Sequence, residues 1–505
     1  MLKKYIGIVV FFVFALHLFS CSEKKGTNTQ GGKMVEGGAI TLGISSDLDA
    51  QLDPHTASSA SVREIFFNIF EGLVKPDTSG ALQPALAESY TVNSTADEYT
   101  FVLRKGVHFH NGKELTVQDA IYSIRRAAGL DTGTPLVSNY ANILSCEALD
   151  ENRVVIKLKA PNTEFITAAT TAIIPDGNDP AKEVIGTGPY AYVSRLIQDT
   201  IILKKHTAYW GKPAHIDTIT LKVIEDAETM VMALRSGVVD IAAHMLSGQA
   251  EELHDLTIAE GYSNIVQALY LNNAFAPFSD MRVRQALSYA TNKHEVIALA
   301  SSGYGKAVGS NVYPSFGKYY LEDLTNYYEH NIEKAKALLT ETGYPSGFEF
   351  TITVPSTYPI HVDTAQVLVE QYKAIGVRIK INQVEWTTWL SDVYRGRNYE
   401  ATVVGLDSHT LAASGLLERF VSGNSKNFIN FSSAAYDAAY NTAINTVDDA
   451  KQTEYFKQCE RILTEEAASI YIQDPSSFAI MQKNIAGFVY YPLYVLDFAA
   501  LYKLE

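Results

Sequence analysis

Residues 348–406 alternate between strand-like and helix-like patterns, and this alternation limits the possible folds more than any other feature of the sequence. Apolar and polar side chains alternate from 348 to 354, which is the pattern of a half-buried strand. A helical stretch at 363–375 and a second alternating segment at 377–381 follow. A strand, a helix and a second strand in this order form a βαβ unit. We therefore predict an open α/β sheet, which a strand at 401–406 extends.

A second pattern, between Leu86 and Arg126, predicts strands followed by a helix. Residues 99–104 alternate between apolar and polar side chains, and Asn111-Gly112 is a frequent turn sequence. Thr116 precedes Asp119 by three residues, which is the spacing of a capping box at a helix N-terminus. Because none of these residues suggests chemistry, we expect a packed α/β subdomain here.

The first 21 residues have the composition of a secretory signal peptide. Two lysines precede the apolar run 5–19, which is shorter than the roughly twenty residues that a membrane-spanning helix needs. Residues 22–38 are polar and rich in glycine, a composition typical of a flexible tether. No long apolar run follows, so we expect no transmembrane helix in the rest of the chain.

Composition and motifs disfavour several functions. The chain carries 41 Lys and Arg against 56 Asp and Glu, a net charge of −15, and has no basic cluster, which argues against nucleic acid as a partner. It contains no G-x-S-x-G elbow, no H-E-x-x-H motif and no paired Cys/His signature, so we do not expect an enzyme.

Apart from Cys21, only Cys146 and Cys459 are present, and their spacing fits neither a metal site nor a redox motif. Two buried free thiols are the simplest interpretation, and a disulfide between them is the alternative.

Residues 186–191 (GTGPYA) fit the dinucleotide-binding pattern G-x-G-x-x-A. That interpretation fails on context, because no strong strand precedes the glycines and Pro189 lies inside the loop. The residues that follow alternate like a strand and do not open a helix. We predict a turn that enters a strand.

Six segments together resemble one protein family, the solute-binding proteins of the peptide/nickel type (family 5) that serve bacterial ABC importers. The resemblance covers roughly residues 39–505. It is carried by the segments 52–73 (LDPHTASSASVREIFFNIFEGL), 86–126, 186–190 (GTGPY), 280–297 (DMRVRQALSYATNKHEVI), 331–348 (NIEKAKALLTETGYPSGF) and 470–475 (IYIQDP).

The resemblance implies a two-lobed α/β fold of the periplasmic-binding-protein type, with an inserted third subdomain and a two-segment hinge. Leu18 to Cys21 resembles a lipobox, so Cys21 is expected to carry a lipid that anchors the protein outside the cytoplasm. The expected partners are a small solute, an ABC permease and its ATPase subunits, with no cofactor, and the protein is expected to be a monomer. The expected organisation is a signal peptide (1–21), a tether (22–38), the first lobe (39–75, 186–268 and 471–505), the inserted subdomain (76–185) and the second lobe (269–470).

Ligands of open α/β sheets bind beyond the carboxyl ends of the strands. This rule selects Asp407 and His409 after the strand 401–406, and Asn272 after the strand 265–271. Trp386 begins a helix that we expect to overhang the same crevice. We predict that Asp407 pairs with a cationic group of the ligand and that Tyr270, Asn272 and Trp386 form walls. The alternatives are a turn or cap role for Asp407, an exposed loop position for His409 and core packing for Trp386.

The family resemblance also bears on the solute. Peptide binders of the family usually carry a loop in which an Asp pairs with the peptide's α-ammonium group. In the corresponding segment, 405–413, His409 falls at that position and Asp407 lies two residues earlier. A peptide is the leading expectation. The alternatives are a nickel or other metal chelate, to which His409 would offer an imidazole, and a sensor that presents its ligand to a receptor.

Overall fold

The computed structural model describes residues 32–48, 52–57, 59–408 and 410–505. Strands and helices follow one another along the whole of this part of the chain. The strands are β1 (Met34–Val35), β2 (Ala39–Ile44), β3 (Val74–Pro76), β4 (Leu82–Pro84), β5 (Ala87–Val92), β6 (Glu98–Leu103), β7 (Ile143–Ala148), β8 (Arg153–Leu158), β9 (Tyr190–Leu196), β10 (Thr200–Lys205), β11 (Thr218–Val223), β12 (Ile241–Met245), β13 (Thr257–Tyr262), β14 (Val266–Leu271), β15 (Gly305–Ala307), β16 (Glu349–Pro355), β17 (Arg378–Val384), β18 (Ala401–Leu406), β19 (Ile470–Met481), β20 (Ile485–Ala486) and β21 (Tyr502–Leu504).

Helices connect some of these strands and cover the sheets. They are α1 (Ala60–Phe66), α2 (Val117–Ala128), α3 (Ala227–Arg235), α4 (Ser247–Glu252), α5 (Ala276–Ser279), α6 (Met281–Ala290), α7 (Lys293–Ala300), α8 (Ile332–Glu341), α9 (Pro359–Lys373), α10 (Trp386–Thr388), α11 (Ala413–Leu417), α12 (Ala434–Ile444) and α13 (Asp449–Glu465). A π-helical turn, Trp389–Arg395, continues α10. No helix of the described residues is long and apolar enough to cross a membrane.

One continuous sheet runs through two lobes. Its strands lie in the order β17-β16-β18-β14-β19-β12-β2-β11-β10-β9, and β13 and β15 also pair with β19. The half that contains β2 and β9–β12 is the first lobe, and the half that contains β14 and β16–β18 is the second lobe. The predicted βαβ unit is present as β16-α9-β17, whose two strands are parallel. The predicted α/β class is confirmed.

Strand β19 belongs to both lobes. Its residues 470–473 pair with β14 of the second lobe, and its residues 478–481 pair with β12 of the first lobe. All twelve residues of β19 are buried. The chain passes between the lobes at 263–265 and again inside β19 near Asp474, whose carboxylate accepts the Ile265 N–H at 3.2 Å. These two crossings form the hinge.

The inserted subdomain is a four-stranded sheet, in the order β5-β6-β8-β7, packed against α2. The predicted alternation is confirmed, because Tyr99, Phe101 and Leu103 point into its core. The predicted capping box is also present: the Asp119 carboxylate accepts the Thr116 N–H at 2.8 Å. Local sequence signals therefore predicted β6 and the start of α2.

The 186–190 segment is a turn that leads into β9, as predicted, and its glycines have a steric reason. A Cβ atom on Gly186 would lie 2.0 Å from the Ile69 carbonyl oxygen, and one on Gly188 would lie 2.4 Å from the Asn68 carbonyl oxygen. The Gly188 N–H also donates to the Ile69 carbonyl at 2.9 Å. Only glycine lets these two backbone segments approach so closely.

The two remaining cysteines, Cys146 and Cys459, are buried and are not bonded to each other. Burial raises the pKa of each thiol to about 12. Both thiols therefore stay protonated and unreactive at neutral pH, which agrees with the interpretation as structural free thiols.

We predict that Gly188→Ala lowers the free energy of unfolding by about 2 kcal/mol or more, because the added methyl group meets backbone that cannot move aside. The matched control is Gly248→Ala in α4, where a Cβ meets no atom within 4 Å. That change should be neutral or stabilise by about 0.5 kcal/mol. Urea unfolding of the three proteins checks both expectations, and equal midpoints for Gly188→Ala and the wild type would contradict the first.

The hinge carboxyl makes stability depend on pH. Asp474 is 1% exposed, and burial raises its pKa to about 8. From about pH 4 to about pH 8 this group binds more protons in the folded chain than in the unfolded chain, so stability falls as the pH rises through that window. We predict that Asp474→Asn stabilises the protein more at pH 8 than at pH 5, by about 1 kcal/mol or more. Thermal melts at both pH values test this, with the exposed Asp363→Asn as control; a pH-independent difference would refute it.

Candidate ligand-binding cleft

A cavity of about 1310 Å³ lies between the lobes and the inserted subdomain. It exceeds the usual 300–1,000 Å³ of small-molecule pockets, so it has room for a ligand of several linked groups. Aromatic rings supply much of its wall. These rings are Phe66, Phe67, Phe70, Tyr90, Tyr209, Phe316, Tyr319, Tyr491 and Tyr494.

Asp407 lies directly after β18, at the edge of the second lobe that faces the first lobe. Its carboxylate is 3.9 Å from the guanidinium of Arg63, which α1 of the first lobe supplies. Both side chains are about one-quarter exposed, at 28% for Asp407 and 26% for Arg63. The next residue, Ser408, lines the cavity, as does Arg63 itself. An acidic and a basic group from different lobes thus meet beside the cavity.

Three tyrosine hydroxyls lie close enough to Asp407 to feel its charge. Burial raises the pKa of Tyr494, Tyr358 and Tyr313, and the nearby negative charge of Asp407 raises each pKa further. These hydroxyls therefore remain protonated at neutral pH.

Trp386 begins α10 and lies at the same edge of the sheet as Asp407. Its ring stacks on Trp389 with centroids 5.0 Å apart, and Tyr358 packs edge-on against it at 5.4 Å. Trp386 is half-buried, whereas Trp389 is 2% exposed and donates its indole N–H to Thr402. Trp386 therefore stands next to the Asp407 region without lining the cavity itself.

The expectation that Asn272 shares a crevice with Asp407 is corrected by the strand directions. Strand β14 is antiparallel to β18, with Leu271 opposite Ala401. The residue after β14 therefore lies at the opposite end of the sheet from the residue after β18. Asn272 is buried there and donates to the Tyr399 carbonyl at 2.7 Å.

Tyr270 is also placed differently from the expectation of a wall residue. It is fully buried in the core of the second lobe, on the same strand face as Val266 and Ala268. Its hydroxyl donates to the Asn311 side chain at 2.6 Å. Tyr270 lies in the interior of the lobe and is not among the side chains that line the cavity.

Two other predicted residues, His409 and Cys21, lie outside the described residues. Within the described part of the chain, no group of three or more His, Cys, Asp or Glu side chains is arranged to hold a metal ion. Sequence reasoning missed Arg63, although it belongs to the recognised segment 52–73. It also missed Glu164, which lines the cavity and for which no local signal exists.

Comparison with known proteins agrees with this architecture. The profile of the bacterial extracellular solute-binding proteins, family 5 Middle, matches residues 81–428. The glutathione-binding protein GsiB of Salmonella choleraesuis is 27% identical over 460 residues, covering 86% of this chain and 89% of that protein. The oligopeptide-binding protein AppA of Bacillus subtilis is 25% identical over 520 residues, covering 96% and 95%.

The fold is shared with solved structures. The ABC transporter substrate-binding protein CtaP of Listeria monocytogenes superposes with a TM-score of 0.85 at 22% identity, covering 93% of this chain and 100% of that chain. The resemblance identified in the sequence is confirmed, and the family consists of transport proteins and not of enzymes. The chain belongs to the bacterial extracellular solute-binding proteins of family 5, which capture solutes for ABC importers.

Proposed function

We propose that the solute is a peptide, held between the two lobes and then delivered to an ABC permease. The relatives that bind oligopeptides and glutathione support this proposal, as does a cavity of about 1310 Å³ lined by aromatic rings. No covalent step is needed. A ligand that contacts both lobes stabilises the closed form, and the closed form is what the permease would recognise.

The observation that carries the proposal is the ion pair between Asp407 and Arg63. A peptide is a zwitterion with one ammonium and one carboxylate. Asp407 would pair with the ammonium group of the solute and Arg63 with its carboxylate. All four charges would therefore keep an opposite charge beside them when binding removes them from water. We assign the ammonium to Asp407, with Trp386 flanking that end of the cleft.

We predict that Asp407→Asn weakens peptide binding about 10- to 100-fold, because the ammonium loses a charged partner in a desolvated site. Isothermal titration with a defined pool of two- to nine-residue peptides measures this. Asp392→Asn, an exposed carboxylate of the same lobe, is the matched control and should bind like the wild type.

The same titration with N-acetylated peptides isolates the ammonium. Acetylation should weaken binding to the wild type by the same factor of about 10 to 100. It should leave binding to Asp407→Asn nearly unchanged, because that variant already lacks the interaction between Asp407 and the ammonium group. Equal affinity of the wild type and Asp407→Asn for free peptides would exclude the assigned role of Asp407.

We further propose that Cys21 carries the lipid anchor and that the mature protein acts as a monomer. The apolar run at 5–19 and the polar tether at 22–38 support the anchor. We expect Cys21→Ala to move the protein from the membrane fraction to the soluble extracytoplasmic fraction, because the thiol is the site of lipid attachment. Thr27→Ala, which leaves the Cys in place, is the control. A Cys21→Ala protein that stays membrane-bound would argue against the anchor.

A further inference from the structure

His361 contacts the strand that leads to Asp407, two residues before that carboxylate. The Gly405 N–H of β18 donates to the Nε2 atom of His361 at 3.2 Å. Strand β18 pairs with β16 at Ala401, opposite Ile352, and Gly405 lies four residues further along the strand. An imidazole therefore serves as the acceptor for a strand N–H near the end of β18.

The imidazole of His361 lies in the interior of the second lobe. His361 is 4% exposed and belongs to the first turn of α9. Burial lowers its pKa to about 4, so the ring is neutral at neutral pH. A neutral imidazole has one N–H and one nitrogen that accepts a hydrogen bond. The ring can therefore accept the Gly405 N–H, which an imidazolium could not do.

The partners of the ring determine which nitrogen carries the proton. The backbone N–H of Gly405 can only donate, so Nε2 of His361 is the accepting nitrogen and the proton lies on Nδ1. The side-chain nitrogen of Gln267 lies 2.8 Å from Nδ1. A half-turn of this amide brings its oxygen to that place, where it accepts the ring N–H. Gln267 lies opposite Gly405 on β14, so His361 joins the two paired strands.

The same end of α9 also lies beside Asp407. Tyr358 directly precedes α9, and its ring packs against His361 with centroids 5.5 Å apart. Burial and the negative charge of Asp407 raise the pKa of Tyr358, so these two side chains are close to each other. All of these groups belong to the second lobe. Their arrangement therefore does not depend on where the first lobe stands.

We propose that His361 is a positioning residue, which fixes the end of β18 so that Asp407 is placed to bind the ammonium group of the solute. This role rests on the proposed function of Asp407. His361 is not among the side chains that line the cavity, so it acts through the backbone and not by contact with the solute. Without the imidazole, the Gly405 N–H loses its acceptor, and the end of the strand shifts to find another one.

Peptide titrations test the positioning role. The pool of two- to nine-residue peptides and the same pool after N-acetylation are titrated into the wild type and His361→Leu. The wild type should bind the free pool about 10 to 100 times more tightly than the acetylated pool. In His361→Leu this preference should fall about tenfold, while the affinity for the acetylated pool stays within about twofold of the wild type.

Two further variants separate positioning from a general loss of stability. His361→Gln keeps an accepting oxygen near the place of Nε2 and should restore most of the preference. His294→Leu alters an exposed histidine of α7 in the same lobe and should bind like the wild type. Thermal melts establish that each variant is folded. If His361→Leu does not fold, His361→Phe keeps a ring without an accepting nitrogen and should give the same result.

Hydrogen exchange of the Gly405 amide provides a readout that needs no solute. We expect this amide to exchange about tenfold faster in His361→Leu than in the wild type, because its acceptor is lost. In His361→Gln it should exchange at nearly the wild-type rate.

Three results would overturn the proposal: an undiminished preference for the free pool in a folded His361→Leu protein, equal weakening of both pools, or an unchanged exchange rate of the Gly405 amide. Equal weakening would indicate a structural role alone. Equal binding of the two pools by the wild type would instead reject the proposed role of Asp407, and the positioning role with it. The wild-type titration therefore distinguishes failure of the proposed function from failure of the positioning role.

Discussion

The organisation of the molecule depends on one buried strand that both lobes share. β19 completes the sheet of the second lobe with residues 470–473 and pairs with β13 through residues 476–481. Its backbone hydrogen bonds and its buried side chains tie it into both halves, so neither half can shift along it. The movement that remains is a bend where the chain crosses between lobes, near Ile265 and Asp474. A shared strand of this kind favours bending of the two lobes about the hinge over sliding of one lobe past the other.

Groups from the two sides of the cleft meet in this structure. Arg63 meets Asp407 beside the cavity, and Glu164 meets the start of α11. These contacts have different relations to a solute. The ion pair offers two charges that a zwitterion would exchange for its own, whereas Glu164 accepts two backbone N–H groups at the start of α11.

The features that the sequence alone predicted are those that form between residues close together in the chain. The Thr116 and Asp119 capping box, the turn at 186–190 and the β16-α9-β17 unit each arise within a few tens of residues. Asn272 was misplaced because side-chain alternation identifies a strand without giving its direction relative to a neighbour. Tyr270 was misplaced because alternation does not show which strand face meets a cavity. Glu164 could not be predicted, since its partners Ala413 and Ser414 are 249 and 250 residues away.

The central claim is that this family 5 protein closes on a peptide. Native mass spectrometry of protein purified without denaturation tests it most directly, because a tightly held solute stays bound through the measurement. We expect a complex that releases a molecule whose fragments differ by amino-acid residue masses. A released metal chelate, or a molecule whose fragments contain no amino-acid residues, would contradict the account.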